Sequence, residues 1–129
     1  MGEKKIVTGN WSSGSNKITV NLFVILFNEE GTVIAFCPAL DVYGYGKNEV
    51  EAQNSFDIAL EEYFRYTINK NTLLDDLTNR GWKTAGLKTR KSHLTPPTMS
   101  ELLNLNADFG EIFNTHEFQK LNRAVEIPC

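Results

Sequence analysis

The stretch that decides the fold covers residues 18 to 64 and reads ITVNLFVILF (18–27), NEEG (28–31), TVIAFC (32–37), PALD (38–41), VYGYG (42–46) and KNEVEAQNSFDIALEEYF (47–64). Its first run begins by alternating and then becomes continuously apolar, which is typical of a strand covered on both faces. The NEEG turn ends in glycine, and the run after it is the return strand of a hairpin. Pro38 cannot donate to a ladder, so it ends that strand.

A third strand and a long helix complete the stretch. Val42 to Gly46 predicts a short strand whose glycines allow a bend or a close backbone approach. Asn48 stands three residues before Glu51, so we expect Asn48 to cap a helix and Glu51 to reach back to the cap amide. Apolar residues then recur at spacings of three and four, at Ala52, Phe56, Ala59, Leu60, Tyr63 and Phe64. This pattern predicts a helix of about 20 residues with one face on a sheet.

Weaker signals follow the long helix. A short helix is predicted from Thr72 to Gly81, and Trp82 to Leu87 predicts a fourth strand. Thr95-Pro96-Pro97 is a boundary signal, because proline continues neither a ladder nor a helix interior. We therefore expect an α+β core of order β-β-β-α-β over residues 1–94, with an antiparallel sheet covered by one long helix. Residues 95–129 are expected to form a helical segment and a short strand over 123–128, packed on the core or on a dimer mate.

Composition places the chain among ordinary globular proteins. The 129 residues are 41% apolar and 22% charged, so neither disorder nor a fibrous repeat is expected. No apolar run reaches the roughly 18 residues of a membrane span, and Met1 to Lys5 is not followed by a secretory apolar region. We therefore expect a cytoplasmic protein. Cys37 is interpreted as a small buried residue and Cys129 as an exposed thiol, with no bridge between them.

Charge is unevenly distributed along the chain, whose net charge is −3. Lys and Arg against Asp and Glu number 6 to 11 in residues 1–79, 5 to none in 80–93, and 2 to 5 in 94–129. An acidic chain is poorly suited to non-specific nucleic-acid binding, but it suits a basic protein partner. The alternative is a nucleic-acid-binding module that uses the basic segment 80–93, with Trp82, Lys83, Lys88, Arg90 and Lys91 as its contact residues. The structural interpretation, in which these basic residues complement the end of the preceding helix and keep an edge strand soluble, is slightly favoured.

Groups suited to catalysis are few in this sequence. His93 and His116 lie in segments that look exposed, and neither stands in a recognisable nucleophile motif. There is no metal-ligand spacing and no phosphate-binding glycine loop, so we predict a non-enzyme without metal or cofactor. A nuclease would need several carboxylates on two metal ions, and only Asp41 lies near a predicted strand end.

Two further residue sets have both a functional and a structural interpretation. Glu51, Asp57, Glu61 and Glu62 on the long helix form either a docking face for a basic partner or an ordinary solvated face, and the second is favoured. Tyr43 and Tyr45 share one face of their strand. They either stack on bases or pack against the helix, and we expect packing because the flanking basic residues of RNA-binding sheets are missing.

Two short motifs resemble the HicB antitoxin family. They are Phe36-Cys37-Pro38-Ala39-Leu40, where a strand ends in Pro-x-Leu, and Gly46-Lys47-Asn48-Glu49-Val50-Glu51-Ala52, where a glycine precedes a capped helix with Glu-Ala. The resemblance covers about residues 18–87 and implies a truncated RNase-H-like core. Members of the family often dimerise and repress their own operon. This chain departs from the family after Pro97, where no ribbon-helix-helix or helix-turn-helix signature follows, and this puts DNA binding and autorepression in doubt.

The resemblance implies a non-catalytic antitoxin that binds a small basic mRNA-cleaving toxin of the HicA type. Under that interpretation Glu51, Asp57, Glu61 and Glu62 are the expected partner-binding residues. A homodimer is the expected oligomer. The strand with Val125 and Ile127 is expected to join a sheet edge, either its own or that of a twofold mate.

Overall fold

Four antiparallel strands form one sheet in the computed structural model, which describes residues 17–84 and 94–128. The strands are β1 (Lys17–Glu29), β2 (Thr32–Cys37), β3 (Val42–Gly46) and β4 (Phe118–Pro128). Their order across the sheet is β3-β2-β1-β4. The helices are α1 (Glu49–Asn69), α2 (Leu73–Asn79), α3 (Met99–Leu105) and α4 (Ala107–Thr115). The predicted α+β class, with an antiparallel sheet and a long helix after three strands, is confirmed.

β1 is one of the two inner strands, and its apolar run is buried on both faces as predicted. Val24, Ile25, Leu26 and Phe27 are all buried although successive side chains point to opposite faces. On one face lies α1, whose Phe56 ring sits 5.3 Å from the Arg123 guanidinium of β4. On the other face lies α4, whose Phe109 ring is 5.7 Å from that of Phe23.

The hairpin turn follows from its residue types. Glu30 and Gly31 have positive φ angles of 52° and 85°, and the Gly31 amide donates to the Asn28 side chain at 3.1 Å. Glycine adopts such angles without a steric penalty, and the short asparagine side chain satisfies the turn amide. Register is thereby fixed, with Phe27 opposite Ile34 and Ile25 opposite Phe36.

The start of α1 matches the predicted cap with one correction. The Asn48 side chain accepts from the Glu51 amide at 2.9 Å, as expected for an N-cap. The Glu51 carboxylate, however, accepts from the Lys47 amide at 2.9 Å rather than from the cap amide. An acid at this position still stabilises the helix start, where unpaired amides carry partial positive charge.

Glycine places α1 directly on β3. A Cβ on Gly44 would lie 2.2 Å from the Phe56 nitrogen, and one on Gly46 would lie 2.5 Å from the Ala52 nitrogen. Both glycines therefore face the helix backbone. Tyr43 and Tyr45 alternate with them and point to the opposite face, so the expectation that they pack on the long helix was wrong. Tyr43 instead stacks on Phe36, with ring centroids 4.1 Å apart.

The C-terminal part differs from the prediction in extent. In the described part of the expected fourth strand, Lys83 makes only an isolated bridge with Thr95, and residues 85–87 lie outside the described residues. The fourth strand of the sheet is instead β4, which pairs with β1 from Phe118 to Pro128. It begins at Phe118, five residues before the predicted start at Arg123, because residues 118–122 also pair with β1. These residues do not alternate regularly, so the sequence pattern did not predict them as a strand. Cys37 is fully buried as predicted, and burial raises the pKa of its thiol to about 11.

Candidate protein-docking surface

The outward face of α1 carries apolar side chains outside the stripe predicted from the sequence. Val50, Ile58 and Tyr66 are 68%, 64% and 63% exposed. They lie at a spacing of eight, and with Asn54 and Glu62 between them they form one i, i+4 ridge of the helix. The ridge is opposite to the buried residues Ala52, Phe56 and Phe64, so it faces away from the sheet. Single exposed apolar side chains are common on protein surfaces, but three along one ridge offer a partner several anchors from which it can exclude water.

A sequence signal for this ridge existed. Ile58 follows Asp57 and is outside the apolar stripe, and Val50 lies between two glutamates. An apolar residue on the polar side of an amphipathic helix has no packing reason to be there. Val50, Ile58 and Tyr66 do not fit the apolar stripe, so the periodic pattern by itself does not identify them.

Glu61 and Glu62 lie on the same outward face as the ridge. Both are exposed, and the Arg65 guanidinium stands 3.8 Å from Glu61 and 3.7 Å from Glu62. Ion pairs of this length between exposed side chains contribute little to stability, because water screens the two charges. These carboxylates thus lie beside Ile58 and stay accessible to an approaching cation.

The other two predicted docking residues have partners within the chain. Glu51 accepts from the Lys47 amide at the helix start. Asp57 points to the sheet side, where its carboxylate accepts from the Arg123 guanidinium at 2.7 Å. The structure therefore brings only Glu61 and Glu62 together with the apolar ridge. Glu51 and Asp57 hold α1 in place at its start and against β4.

The basic segment is described only in part. Trp82 lies in the core at 3% exposure, and its indole N–H donates to the Ala39 carbonyl at 2.8 Å. Its ring is consequently covered and offers no face for a base. The side chain of Lys83 is 73% exposed and 4.0 Å from Glu101. Lys88, Arg90 and Lys91 lie outside the described residues, as does His93.

A polar cleft of about 280 Å³ lies where the turn after β2, the end of α2 and the start of α4 meet. Arg80 enters it, donating to Asp76 at 2.8 Å and standing 3.7 Å from Asp41. The Tyr63 hydroxyl also donates to Asp76, and the burial of that hydroxyl raises the Tyr63 pKa above its usual range. Arg80 thus pairs with Asp76 and Asp41, and these contacts link α1, α2 and the turn after β2. Asp108, on the same cleft wall, accepts from the Tyr43 hydroxyl at 3.2 Å.

Groups suited to metal or acid–base chemistry are dispersed in the described residues. No three His, Cys, Asp or Glu side chains in residues 17–84 and 94–128 stand close enough to hold a metal ion. Asp41, the one carboxylate expected near a strand end, lies beside Arg80 in the cleft. His116 is half-buried rather than exposed, with Nε2 3.3 Å from Glu29 and its ring edge-on to Phe27.

Val125 and Ile127 lie in the second half of β4 and are buried. They pair with Val20 and Ile18 of the chain's own β1, so they join the sheet edge within one copy. In residues 17–84 and 94–128 no helix is both long and apolar enough to cross a membrane.

Comparison with known proteins gives no match. No family model, no curated protein and no solved structure is similar to this chain at a significant level.

Proposed function

We propose that this chain is an antitoxin-like binding protein of the HicB type, which neutralises a small basic mRNA-cleaving toxin by docking it on α1. The observation that carries the proposal is the exposed ridge of Val50, Ile58 and Tyr66 beside Glu61 and Glu62. Apolar anchors supply affinity when a partner excludes water from them. Carboxylates around the anchors favour a basic partner and raise its association rate.

The charge of α1 supports this choice of partner. Between Glu49 and Asn69 the helix carries five carboxylates and one arginine, a net charge of −4. Asp57 is matched by Arg123 from β4. On the outward face, Arg65 stands beside Glu61 and Glu62, and the Lys70 ammonium lies 5.9 Å from the centroid of the Tyr66 ring, so the acidic part of the ridge is centred on Ile58. A basic protein would therefore meet an acidic surface with an apolar centre. The sequence resemblance to HicB antitoxins points to the same class of partner.

The direct test is to look for a small basic protein encoded beside this chain and to co-express the two. We expect a stable complex by size-exclusion chromatography and recovery of growth when the basic protein alone is toxic. Absence of such a neighbour, or of a complex with it, contradicts the proposal.

Variants of the ridge locate the docking surface. Ile58→Ala should raise the dissociation constant of the complex about tenfold, because truncating a central apolar anchor removes buried contact area. Glu61→Lys with Glu62→Lys should raise it at least as much and should flatten its dependence on salt. Isothermal titration calorimetry at several salt concentrations measures both effects.

The matched control is Glu111→Lys in α4, an exposed acid on the other side of the sheet. It should leave the dissociation constant unchanged. Equal affinity of the ridge variants and the wild type would show that α1 is not the docking surface.

The alternative function, a nucleic-acid-binding module, rests on the five basic and no acidic residues of segment 80–93 and on the exposure of Lys83. Under this alternative, affinity for RNA or DNA should fall steeply with salt because each phosphate contact releases counterions. Changing Lys83, Lys88, Arg90 and Lys91 to Glu should weaken it further in a mobility-shift assay. A missing or salt-independent shift rejects the alternative.

A further inference from the structure

β4 forms one edge of the sheet. Along its 11 residues it pairs with β1 on one side, and no strand in the described part of the chain lies on the other. A long, regular edge strand presents backbone donors and acceptors to any other strand that approaches it. The opposite edge, β3, has only five residues. β4 is thus the larger template for a further strand.

We propose that β4 pairs with β4 of a second copy of this chain, antiparallel about a twofold axis at Arg123. Arg123 is the midpoint of Phe118–Pro128, so this register uses every residue of both strands. Cyclic dimers with a self-complementary interface are the commonest oligomers of soluble proteins. The two sheets then form one continuous antiparallel sheet.

The charges along β4 are complementary in this register. Residues at equal distances from Arg123 stand opposite each other, so Lys120 of one copy faces Glu126 of the second copy, and this occurs twice. Opposite charges at directly facing positions stabilise a strand pair, and like charges destabilise it. Both side chains are exposed on the α4 side of the sheet, and the Lys120 ammonium lies 5.6 Å from the centroid of the Phe23 ring, a contact that the facing Glu126 would compete with or extend.

The α1 side of the sheet is compatible with the same register. Leu121 faces Val125 of the second copy there, which extends the apolar surface of the sheet. The two Arg123 residues meet at the axis, but each guanidinium donates to its own Asp57 at 2.7 Å and lies over its own Phe56. Their charges are therefore matched within each copy before the strands meet.

This dimer does not depend on the proposed antitoxin function. It uses the edge of the sheet, whereas the docking ridge lies on the outward face of α1. Loss of one interaction leaves the other measurable, so the two proposals can fail separately.

The test is a charge-swap series followed by analytical ultracentrifugation of the full chain. Wild-type protein should sediment as a dimer that dissociates on dilution. Lys120→Glu alone, or Glu126→Lys alone, should raise the dimer dissociation constant at least about tenfold, because each places two like-charge pairs in the interface. An equimolar mixture of these two variants should restore dimerisation, since both facing pairs of the mixed dimer are then opposite in charge.

The double variant with both changes should also dimerise like the wild type. Lys47→Glu, beside the opposite edge of the sheet, serves as the control and should leave the dimer dissociation constant unchanged. Unfolding curves that match the wild type show that the variants fold. A monomer at all concentrations, or a dimer that the single charge reversals do not weaken, overturns the proposal.

Discussion

Replacing Gly44 by alanine should lower the free energy of unfolding by about 3 kcal/mol, because the added methyl group has no space. Its Cβ would stand 2.2 Å from the Phe56 nitrogen, 2.4 Å from the Ala52 carbonyl oxygen and 2.6 Å from the Phe56 Cα. All three atoms belong to the backbone of α1, so no side-chain rotation relieves the overlap. The helix would have to move off β3, which would separate it from the sheet it covers. Urea unfolding followed by circular dichroism measures the loss.

Gly110→Ala is the matched control for this substitution. Gly110 lies inside α4, and its Cβ would meet only the Leu103 carbonyl oxygen, at 3.3 Å. Alanine is the better helix former by about 1 kcal/mol, so stability should stay within about that range of the wild type. If the Gly44→Ala protein were as stable as the Gly110→Ala protein, the backbone of α1 could not lie as close to β3 as described.

Trp82→Ala should cost about 3 to 5 kcal/mol of folding free energy, the usual effect of removing a large buried aromatic side chain. Trp82 is buried, and its indole N–H satisfies the Ala39 carbonyl just after β2. The substitution leaves a cavity and an unpaired carbonyl group. The measurement is again the free energy of unfolding in urea.

Two further variants separate the effect of the cavity from the effect of the lost hydrogen bond and control for the neighbouring position. Trp82→Phe keeps most of the volume but loses the hydrogen bond, so it should cost about 1 to 3 kcal/mol. Lys83→Ala, at the exposed neighbouring position, should be within about 0.5 kcal/mol of the wild type. Unchanged stability of the Trp82→Ala protein would mean that Trp82 lies at the surface. It would then again be a candidate contact for a nucleic acid.

The local elements were predictable because their causes lie within a few residues. The hairpin follows from a glycine turn between two apolar runs, and α1 follows from an asparagine cap and a 3.6-residue period. The burial of β1 on both faces followed from its uninterrupted apolar run. None of these inferences needed a distant contact.

Errors arose where a distant contact decides the outcome. The alternation of side chains along a strand placed Tyr43 and Tyr45 on one face but did not indicate which face meets α1. The alternating residues Gly44 and Gly46 face the helix. The extent of β4 depends on pairing with β1, about 100 residues away, so its irregular first half gave no local signal. Trp82 follows a helix and precedes basic residues, which suggested a surface segment, yet it fills the core.

The candidate docking surface shows the same division. The sequence identified an acidic helix, and both Glu61 and Glu62 lie on its outward face. Only the packed structure showed that Asp57 is matched by Arg123 and Glu51 by a backbone amide, since these partners depend on where β4 and the loop before α1 lie. It also showed that Val50, Ile58 and Tyr66 lie on the side of α1 that faces away from the core and are exposed.

The stretch from residue 18 to residue 64 by itself determined the hairpin, the third strand and the long helix, because turn residues, caps and periodicity act over short distances. Tertiary structure alone decided which face of β3 meets α1, which strand completes the sheet, and which charged side chains stay open to a partner. These are decided by contacts between residues far apart in the chain, whose geometry exists only once the sheet and its helices have packed.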